Sequence, residues 1–239
     1  MDRIEGCQIC EGSYPKSKHN FDECYSLDFE WDLKQMSTDI HSKKCDIFTP
    51  PEQVKIMQQY LRKGTILDPC VGVGNLIAGI PSPVDAFDIE FKYLRSIVGK
   101  NVTKYHNNFL TCEINQQYDN VIMNPPYIRI QDLDVENRKY ISRGYPILSD
   151  NFDIYYAFIL KALTLINENG VCVSINPSSI LFNKSTKKMM GYLIKNRLIQ
   201  EIIDYGSKKI FNDADTYCCI MVFTKEQKNH ILYNKVGFY

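Results

Sequence analysis

From Thr49 onward, short apolar strands alternate along the chain with stretches whose apolar residues recur at helical spacing. Parallel strands need such connections, because the chain must return to the other edge of the sheet before the next strand begins. The alternation therefore predicts a three-layer α/β sandwich with a seven-stranded, mostly parallel, doubly wound sheet. No internal repeat or low-complexity segment interrupts the pattern.

The predicted elements leave two segments outside the regular pattern. Residues 1–46 are polar and irregular and are interpreted as an N-terminal extension to a main domain of residues 47–239. Residues 128–150 are expected to form a long polar loop, and loops of that length are usually functional or disordered. The strands are predicted at residues 65–68, 84–89, 102–106, 120–123, 171–175, 199–204 and 217–223, and the helices at about 52–61, 152–166 and 184–196.

A glycine-rich turn and an acidic residue follow the first two strands. Asp68-Pro69-Cys70-Val71-Gly72-Val73-Gly74 allows the backbone to turn sharply and to approach a ligand at the strand ends. Asp88, at the end of the second strand, can accept hydrogen bonds from both hydroxyls of a ribose. Such a turn alone also suits plain loops, and an acid at a strand end is often only solvated. Their pairing favours a ligand that contains a nucleoside.

Asn124-Pro125-Pro126-Tyr127 closes the fourth predicted strand. The two prolines stiffen the backbone and remove neighbouring N–H donors. The Asn124 side-chain oxygen and the Pro125 carbonyl can then accept both protons of one planar amino group. The Tyr127 ring offers a face on which a base can stack. In isolation the tetrapeptide could be a simple turn, but its position after this strand favours a site for an amino nitrogen.

These segments resemble the amino-methylating DNA methyltransferases of restriction–modification systems, in the group whose cofactor motifs precede the catalytic motif. The similarity extends from about Thr49 to Phe223. It implies a Rossmann-like class I methyltransferase fold with a reversed last strand, S-adenosylmethionine as cofactor, and N6 of adenine in DNA as the acceptor. Further matching segments are Thr49-Pro50-Pro51, Asn108-Phe109-Leu110, Asn151-Phe152-Asp153-Ile154-Tyr155-Tyr156-Ala157-Phe158 and Asn176-Pro177-Ser178-Ser179.

The resemblance also implies the roles of individual residues. Tyr127 and Phe211 would hold the target base by stacking after it leaves the helix, and Asn124 and Pro125 would activate its amino nitrogen for in-line attack on the sulfonium methyl. No general base is required, because the proton is lost after the attack. The implied cofactor-binding residues are Thr49, Asp68, Cys70, Gly72, Gly74, Asp88, Asn108, Phe109 and Asn124.

Two departures from the family pattern concern the cofactor cradle. Asn108 replaces the usual aspartate, so its hydrogen bond to the adenine amino group of the cofactor would be weaker. The segment from Asn75 to Pro83 is short and interrupted by Gly79 and Pro81, so the helix after the glycine turn is expected to be truncated.

Cysteine and histidine residues near the N-terminus form a second candidate site. Cys7 and Cys10 are spaced as a zinc half-site, and His19 and Cys24 could complete a tetrahedral set. The alternative is a chance collection in a short polar terminus, which lacks the aromatic pattern of a known zinc finger.

The composition indicates the cellular compartment in which the protein acts. Nine cysteines, an odd number scattered through the chain, suit a reducing compartment better than a disulfide framework. The charged start of the chain lacks the apolar core of a signal peptide, and no stretch approaches the length of a membrane span. We expect an intracellular, cytoplasmic or nucleoid-associated protein with no membrane partner.

The charge balance affects how DNA would be bound. With 28 basic and 28 acidic residues the net charge is zero, whereas autonomous DNA-binding proteins usually carry a basic excess. The chain ends soon after its last predicted strand, where the family normally has a separate recognition domain. We therefore expect a partner chain or a C-terminal extension to recognise the DNA sequence. One basic group, which could form half of the DNA cleft, comprises the lysines at positions 184, 187, 188, 195, 208 and 209.

Two other functions remain open from the sequence. The same tetrapeptide could act on a protein glutamine or on an adenine in RNA, although Thr49-Pro50, the 151–158 segment and Phe211 favour the DNA group. Alternatively, the chain could be a non-catalytic subunit that binds cofactor or a partner. The intact Asn124–Tyr127 segment argues against this second possibility.

Overall fold

The structure, a computed structural model, describes residues 48–148, 151–211 and 216–236 of the 239-residue chain. The strands are β1 (Ile66–Asp68), β2 (Val84–Asp88), β3 (Val102–His106), β4 (Tyr118–Met123), β5 (Ile166–Pro177), β6 (Ile199–Asp204), β7 (Cys218–Thr224) and β8 (Leu232–Lys235). The α-helices are α1 (Pro51–Gln58), α2 (Phe91–Ser96), α3 (Val135–Gly144), α4 (Tyr155–Leu165) and α5 (Lys187–Lys195). None of the described helices is both long and apolar enough to cross a membrane.

All eight strands form one sheet in the order β3-β2-β1-β4-β5-β7-β6-β8. The strands from β3 to β5 pair in parallel, and β7 runs antiparallel to both β5 and β6. The chain order reverses between β1 and β4, so the carboxyl ends of these strands border a crevice. In open α/β sheets a ligand binds in such a crevice.

The sheet is covered on both faces, as its apolar strands predict. In β1, Leu67 packs into one core cluster and Ile66 into the other. In β5, Cys172 belongs to the first cluster and Val173 to the second, because successive side chains point to opposite faces. Helix α4 fills the first cluster, with Tyr155, Tyr156, Ala157, Ile159 and Ala162 all fully buried. The α/β sandwich with a reversed β7 is thus confirmed.

The structure adds three elements to those predicted, namely β8, α2 and α3, and it contains the truncated helix that the sequence predicts. Strand β8 pairs in parallel with β6 at the sheet edge, and the sequence did not reveal it because all four of its residues are exposed. The predicted loop 128–150 contains α3, whose N-terminus is capped by the Asp134 carboxylate accepting from the Asn137 N–H at 2.9 Å. The prediction missed α3 because Ile141 is its one buried residue. The truncated helix after the glycine turn is a single 3-10 turn, Asn75–Ile77.

Candidate active site

A cavity of about 390 Å³ lies at the carboxyl ends of β1, β2 and β4. This volume is within the range of small-molecule sites. Its wall includes the glycine turn after β1, the acid after β2, the segment after β3 and the Asn124–Tyr127 segment after β4. Four segments far apart in the sequence therefore meet at one site.

The glycine turn adopts the backbone conformations that its sequence predicts. Gly72 and Gly74 have positive φ angles of 51° and 85°, a region that L side chains rarely occupy. The Gly74 N–H donates to the Val71 carbonyl at 2.9 Å, which closes the turn. A Cβ atom on Gly74 would lie 3.3 Å from the Ile97 side chain. The turn therefore brings the backbone of Gly72 to this wall of the cavity, beside Cys70, Val71 and Val73.

Asp88 lies at the carboxyl end of β2, and its carboxylate links the glycine turn after β1 to the residues that follow β2. Its carboxylate accepts from the Gly72 N–H and from the Glu90 N–H, each at 2.8 Å. Burial raises the pKa of Asp88 to about 6, although these backbone donors oppose the shift. Each carboxylate oxygen has room for a second donor, so the group can hold the glycine turn and still accept from ribose hydroxyls.

Asp68 is fully buried and does not line the cavity. One carboxylate oxygen accepts from the Cys70 N–H at 3.2 Å, and the other has no hydrogen-bond partner among the described residues. Burial raises the pKa of Asp68 to about 8. The orphaned oxygen therefore lies behind the glycine turn, separated from the cavity.

The Asn124 side chain is held at both ends. Its amide nitrogen donates to the Thr49 hydroxyl at 3.2 Å, and its amide oxygen accepts from the Tyr127 hydroxyl at 3.0 Å. The Tyr127 hydroxyl also lies 3.2 Å from the Ile175 carbonyl of β5, and burial raises the pKa of Tyr127 well above its usual range. Because the Thr49 hydroxyl accepts from the amide nitrogen, it fixes which end of the Asn124 amide is the oxygen and which is the nitrogen.

The segment after β3 rests on a partly buried lysine. Asn108 folds back, and its side-chain oxygen accepts from the Leu110 N–H at 3.0 Å. Lys161 of α4 donates to the Phe109 and Cys112 carbonyls, each at 2.5 Å, and lies 4.9 Å from the centre of the Phe109 ring. Burial lowers the pKa of Lys161. The lysine thus positions the part of the wall that contains Asn108 and Phe109.

Replacing Lys161 by methionine is expected to lower the free energy of unfolding by about 1–3 kcal/mol, because two buried carbonyls lose a charged donor. The loosened segment should also weaken the binding of S-adenosylmethionine. Chemical denaturation measures the first effect and calorimetry the second. Lys195→Met, on an exposed position of α5, is the control. Equal stability of the two variants would show that Lys161 does not support this segment.

The structure brings together most of the residues predicted for the site. Asp68 and Gly74 lie just outside the cavity wall. Phe211 is 4% exposed and packs into the second core cluster, so the structure does not place it beside Tyr127 at the cavity. The predicted residues that line the cavity are Thr49, Cys70, Gly72, Asp88, Asn108, Phe109, Asn124, Pro125 and Tyr127.

The predicted zinc ligands Cys7, Cys10, His19 and Cys24 fall outside the described residues. Within the ranges that the structure describes, no group of metal-binding side chains is found. The described cysteines, at positions 70, 112, 172, 218 and 219, are free thiols.

Several residues that line the cavity were not predicted from the sequence. Ile89 is 41% exposed and follows Asp88 directly, so its position in the motif could have indicated it. Phe48 and Tyr93 pack edge to face at 6.0 Å between ring centres on another side of the cavity. Asn137 and Ile141 come from α3, and no sequence signal revealed them because that helix was not predicted.

A protein-family model described as Eco57I restriction-modification methylase matches residues 77–211, which is more than half of the chain. The chain belongs to the Eco57I restriction-modification methylase family. The resemblance inferred from the motifs is thereby confirmed at the level of the family.

Curated relatives of this Eco57I-family chain include type II methyltransferases. It is 27% identical to the type II methyltransferase M.AccI of Acinetobacter calcoaceticus over 79% of the chain and 38% of that protein. It is 25% identical to M.HincII of Haemophilus influenzae over 77% of the chain and 38% of that protein. The Eco57I-family chain thus spans less than two fifths of the length of these relatives.

Solved structures support the fold of this Eco57I-family chain. A Listeria monocytogenes protein assigned to the class I S-adenosylmethionine-dependent methyltransferases superimposes with a TM-score of 0.68, at 16% identity over 83% of this chain and 68% of that one. A methyltransferase subunit of a type I restriction-modification system from Streptococcus thermophilus superimposes with a TM-score of 0.64, at 15% identity over 90% of this chain and 54% of that one. The fold is that of a class I methyltransferase.

Proposed function

We propose that this chain transfers a methyl group from S-adenosylmethionine to N6 of adenine in DNA. One observation carries the proposal: the Asn124–Tyr127 segment, with its amide oriented by Thr49, lines the same cavity as the glycine turn and Asp88. An acceptor for an amino group and a cradle for a nucleoside therefore share one space. The family membership and the type II methyltransferase relatives support the same activity.

The cradle fits S-adenosylmethionine in two respects. Gly72 brings backbone to the cavity wall, and Asp88 can accept from a ribose. Asp68 was also predicted to bind the cofactor, and it could do so only if the glycine turn moved aside, because its side chain is fully buried outside the cavity wall. When bound, S-adenosylmethionine supplies an electrophilic methyl group on a sulfonium centre.

The residues of the chain would prepare the acceptor nitrogen. The lone pair of an adenine amino group is delocalised into the ring, so the nitrogen is a poor nucleophile. Asn124 and Pro125 would accept its two protons and favour a tetrahedral nitrogen with a localised lone pair. The bond from Asn124 to Thr49 holds the accepting oxygen in place before the substrate arrives, which reduces the reorganisation during the reaction. The proton is released from the nitrogen after attack.

Tyr127 is proposed to stack on the target base once that base has left the helix. Phe211 was predicted as the second stacking residue, and it could reach the base only if its segment left the core cluster in which it packs. Recognition of a defined DNA sequence is proposed to depend on a partner chain or a further domain, because the net charge of this chain is zero. Sequence-specific methylation of duplex DNA by this chain alone at physiological salt would refute that dependence.

Transfer of tritium from labelled S-adenosylmethionine to competing acceptors tests the proposed acceptor. DNA, RNA and a mixture of proteins are offered together, and the label should enter DNA. Single-stranded and duplex DNA are supplied side by side, so that weak duplex binding does not mask the activity. Label in RNA or protein would favour one of the alternative acceptors, and binding of the cofactor without any transfer would indicate a non-catalytic subunit.

A further inference from the structure

An open cleft of about 530 Å³ lies where β5 ends and β7 begins, outside the cavity described above. Phe182 and Tyr217 line it and are 74% and 48% exposed. Two exposed aromatic rings in one cleft offer faces on which a flat ligand group can stack. Ser178 and Ser179 add hydroxyl groups to the same cleft.

Among the residues that the structure describes, one carboxylate lines the cleft, and it is already engaged. Asp204 is 4% exposed and accepts from the Gly206 N–H at 2.9 Å, the Ser178 hydroxyl at 3.4 Å and the Tyr233 hydroxyl at 2.6 Å. These donors fix Asp204 as a structural acceptor that holds β6, β8 and the end of β5 together. The described lining of the cleft therefore presents no open carboxylate to a cation, and its chemistry is aromatic and hydroxylic.

The segments that form the cleft are basic. Residues 176–188 and 205–211 contain no acidic residue, and the next two acidic residues in the chain, Asp213 and Asp215, fall outside the described residues. They carry five lysines, at positions 184, 187, 188, 208 and 209, and all five are exposed. Lys235, also exposed, lines the cleft itself. A ligand with a flat apolar group and a negative charge would complement this surface, and a nucleotide has both.

The cleft is adjacent to the segment that would activate the acceptor. The Tyr127 hydroxyl interacts with the Ile175 carbonyl and with the Cys218 side chain, and these residues lie next to the cleft in β5 and β7. Pro177 pairs with Cys218 across the two strands, and the Ser178 N–H donates to the Tyr217 carbonyl at 2.7 Å. The cleft thus begins immediately beyond Tyr127 on the same edge of the sheet.

We infer that this cleft binds a nucleotide of the target DNA strand adjacent to the methylated adenine, with its base stacked on Phe182 and Tyr217 and its phosphate near the lysines. The inference rests on the proposed function for the identity of the strand. Extrusion of one base unstacks its neighbours, which frees their faces for aromatic side chains. The cleft thereby holds the strand while Tyr127 and Asn124 engage the target.

The test measures binding of single-stranded DNA to the full 239-residue chain. A fluorescein-labelled oligonucleotide of about 12 nucleotides, within the range that a single-strand groove covers, is titrated and followed by anisotropy. The double variant F182A/Y217A should bind it roughly tenfold or more weakly, because stacking is lost. The matched control F182Y/Y217F keeps both rings and should bind as the unaltered protein does. Y192A removes an exposed ring of α5 outside the cleft and should also have no effect.

Photocrosslinking locates the contact independently of enzymatic activity. An oligonucleotide that carries 5-iododeoxyuridine should crosslink to Phe182 or Tyr217, as identified by mass spectrometry. The inference would be overturned if F182A/Y217A bound the oligonucleotide with unchanged affinity, or if F182A/Y217A and F182Y/Y217F lost affinity equally. Crosslinks confined to other segments would also overturn it. Any of these results would favour a protein as the ligand of the cleft. If the unaltered chain binds DNA through these rings yet transfers no methyl group, the proposed function fails and the nucleotide site stands.

Discussion

Replacing Asn124 by alanine is expected to lower kcat for DNA methylation about 10²- to 10³-fold, the range for loss of one positioned transition-state hydrogen bond. The affinity for S-adenosylmethionine should change little, because Asn124 acts on the acceptor and the glycine turn and Asp88 remain intact. Single-turnover methylation measures the rate, and calorimetry measures the cofactor affinity.

Thr49 provides a graded control for the Asn124 prediction. Thr49→Ser keeps the hydroxyl that accepts from the Asn124 amide, whereas Thr49→Val removes it at similar volume. The valine variant should lose roughly tenfold in kcat, since the amide is less well oriented, and the serine variant should stay close to the unaltered protein. Methylation by Asn124→Ala at nearly the original rate would show that the amide does not activate the nitrogen.

Replacing Asp88 by alanine is expected to weaken S-adenosylmethionine binding by about 1–3 kcal/mol, or roughly 5- to 150-fold. The carboxylate accepts from Gly72 and Glu90, so its loss removes both the proposed ribose acceptor and a support of the glycine turn. Calorimetry measures the affinity. The matched variant Asp88→Asn keeps the shape of the side chain and separates the effect of charge from that of packing. Unchanged affinity in both variants would exclude Asp88 from the cofactor site.

The raised pKa of Asp88 gives this prediction a pH dependence. The folded protein holds a proton on Asp88 up to about pH 6, whereas the unfolded chain loses it near pH 4. The contribution of Asp88 to stability is therefore fully present below about pH 4 and is lost as the pH rises to about 6. Cofactor binding should show the opposite trend, because the ribose hydroxyls need the carboxylate. Affinity should fall as the pH drops below about 6, and Asp88→Asn should abolish that fall.

The sequence revealed those parts of the site in which the backbone conformation or the chemistry requires a particular residue at a particular position. Gly72 and Gly74 are required by positive φ angles, Asp88 ends a buried strand, and prolines follow Asn124. Each of these requirements acts within a few residues, so each can be seen without the fold. Most of the seven predicted strands are likewise buried apolar runs, with the half-buried β3 as an exception, and all seven are present in the sheet.

Tertiary packing determined what the sequence could not reveal. Helix α3 has a mostly polar surface, yet its Asn137 and Ile141 contribute to the cavity wall. Strand β8 forms because β6 offers an open edge, and its own residues remain exposed. Phe211 occupies the position in the chain that the family resemblance assigns to a stacking residue, but packing with Ile210 and Tyr205 keeps it in the core cluster. Such outcomes depend on neighbours that are distant in the sequence.

Nucleoside analysis of the product tests the central claim most directly. DNA incubated with the chain and S-adenosylmethionine is digested to nucleosides and examined by mass spectrometry, with the Asn124→Ala variant as the blank. We expect N6-methyladenine in the reaction of the unaltered protein and a much smaller amount in the reaction of the Asn124→Ala variant. A methyl group on cytosine, or equal N6-methyladenine in both reactions, would contradict it.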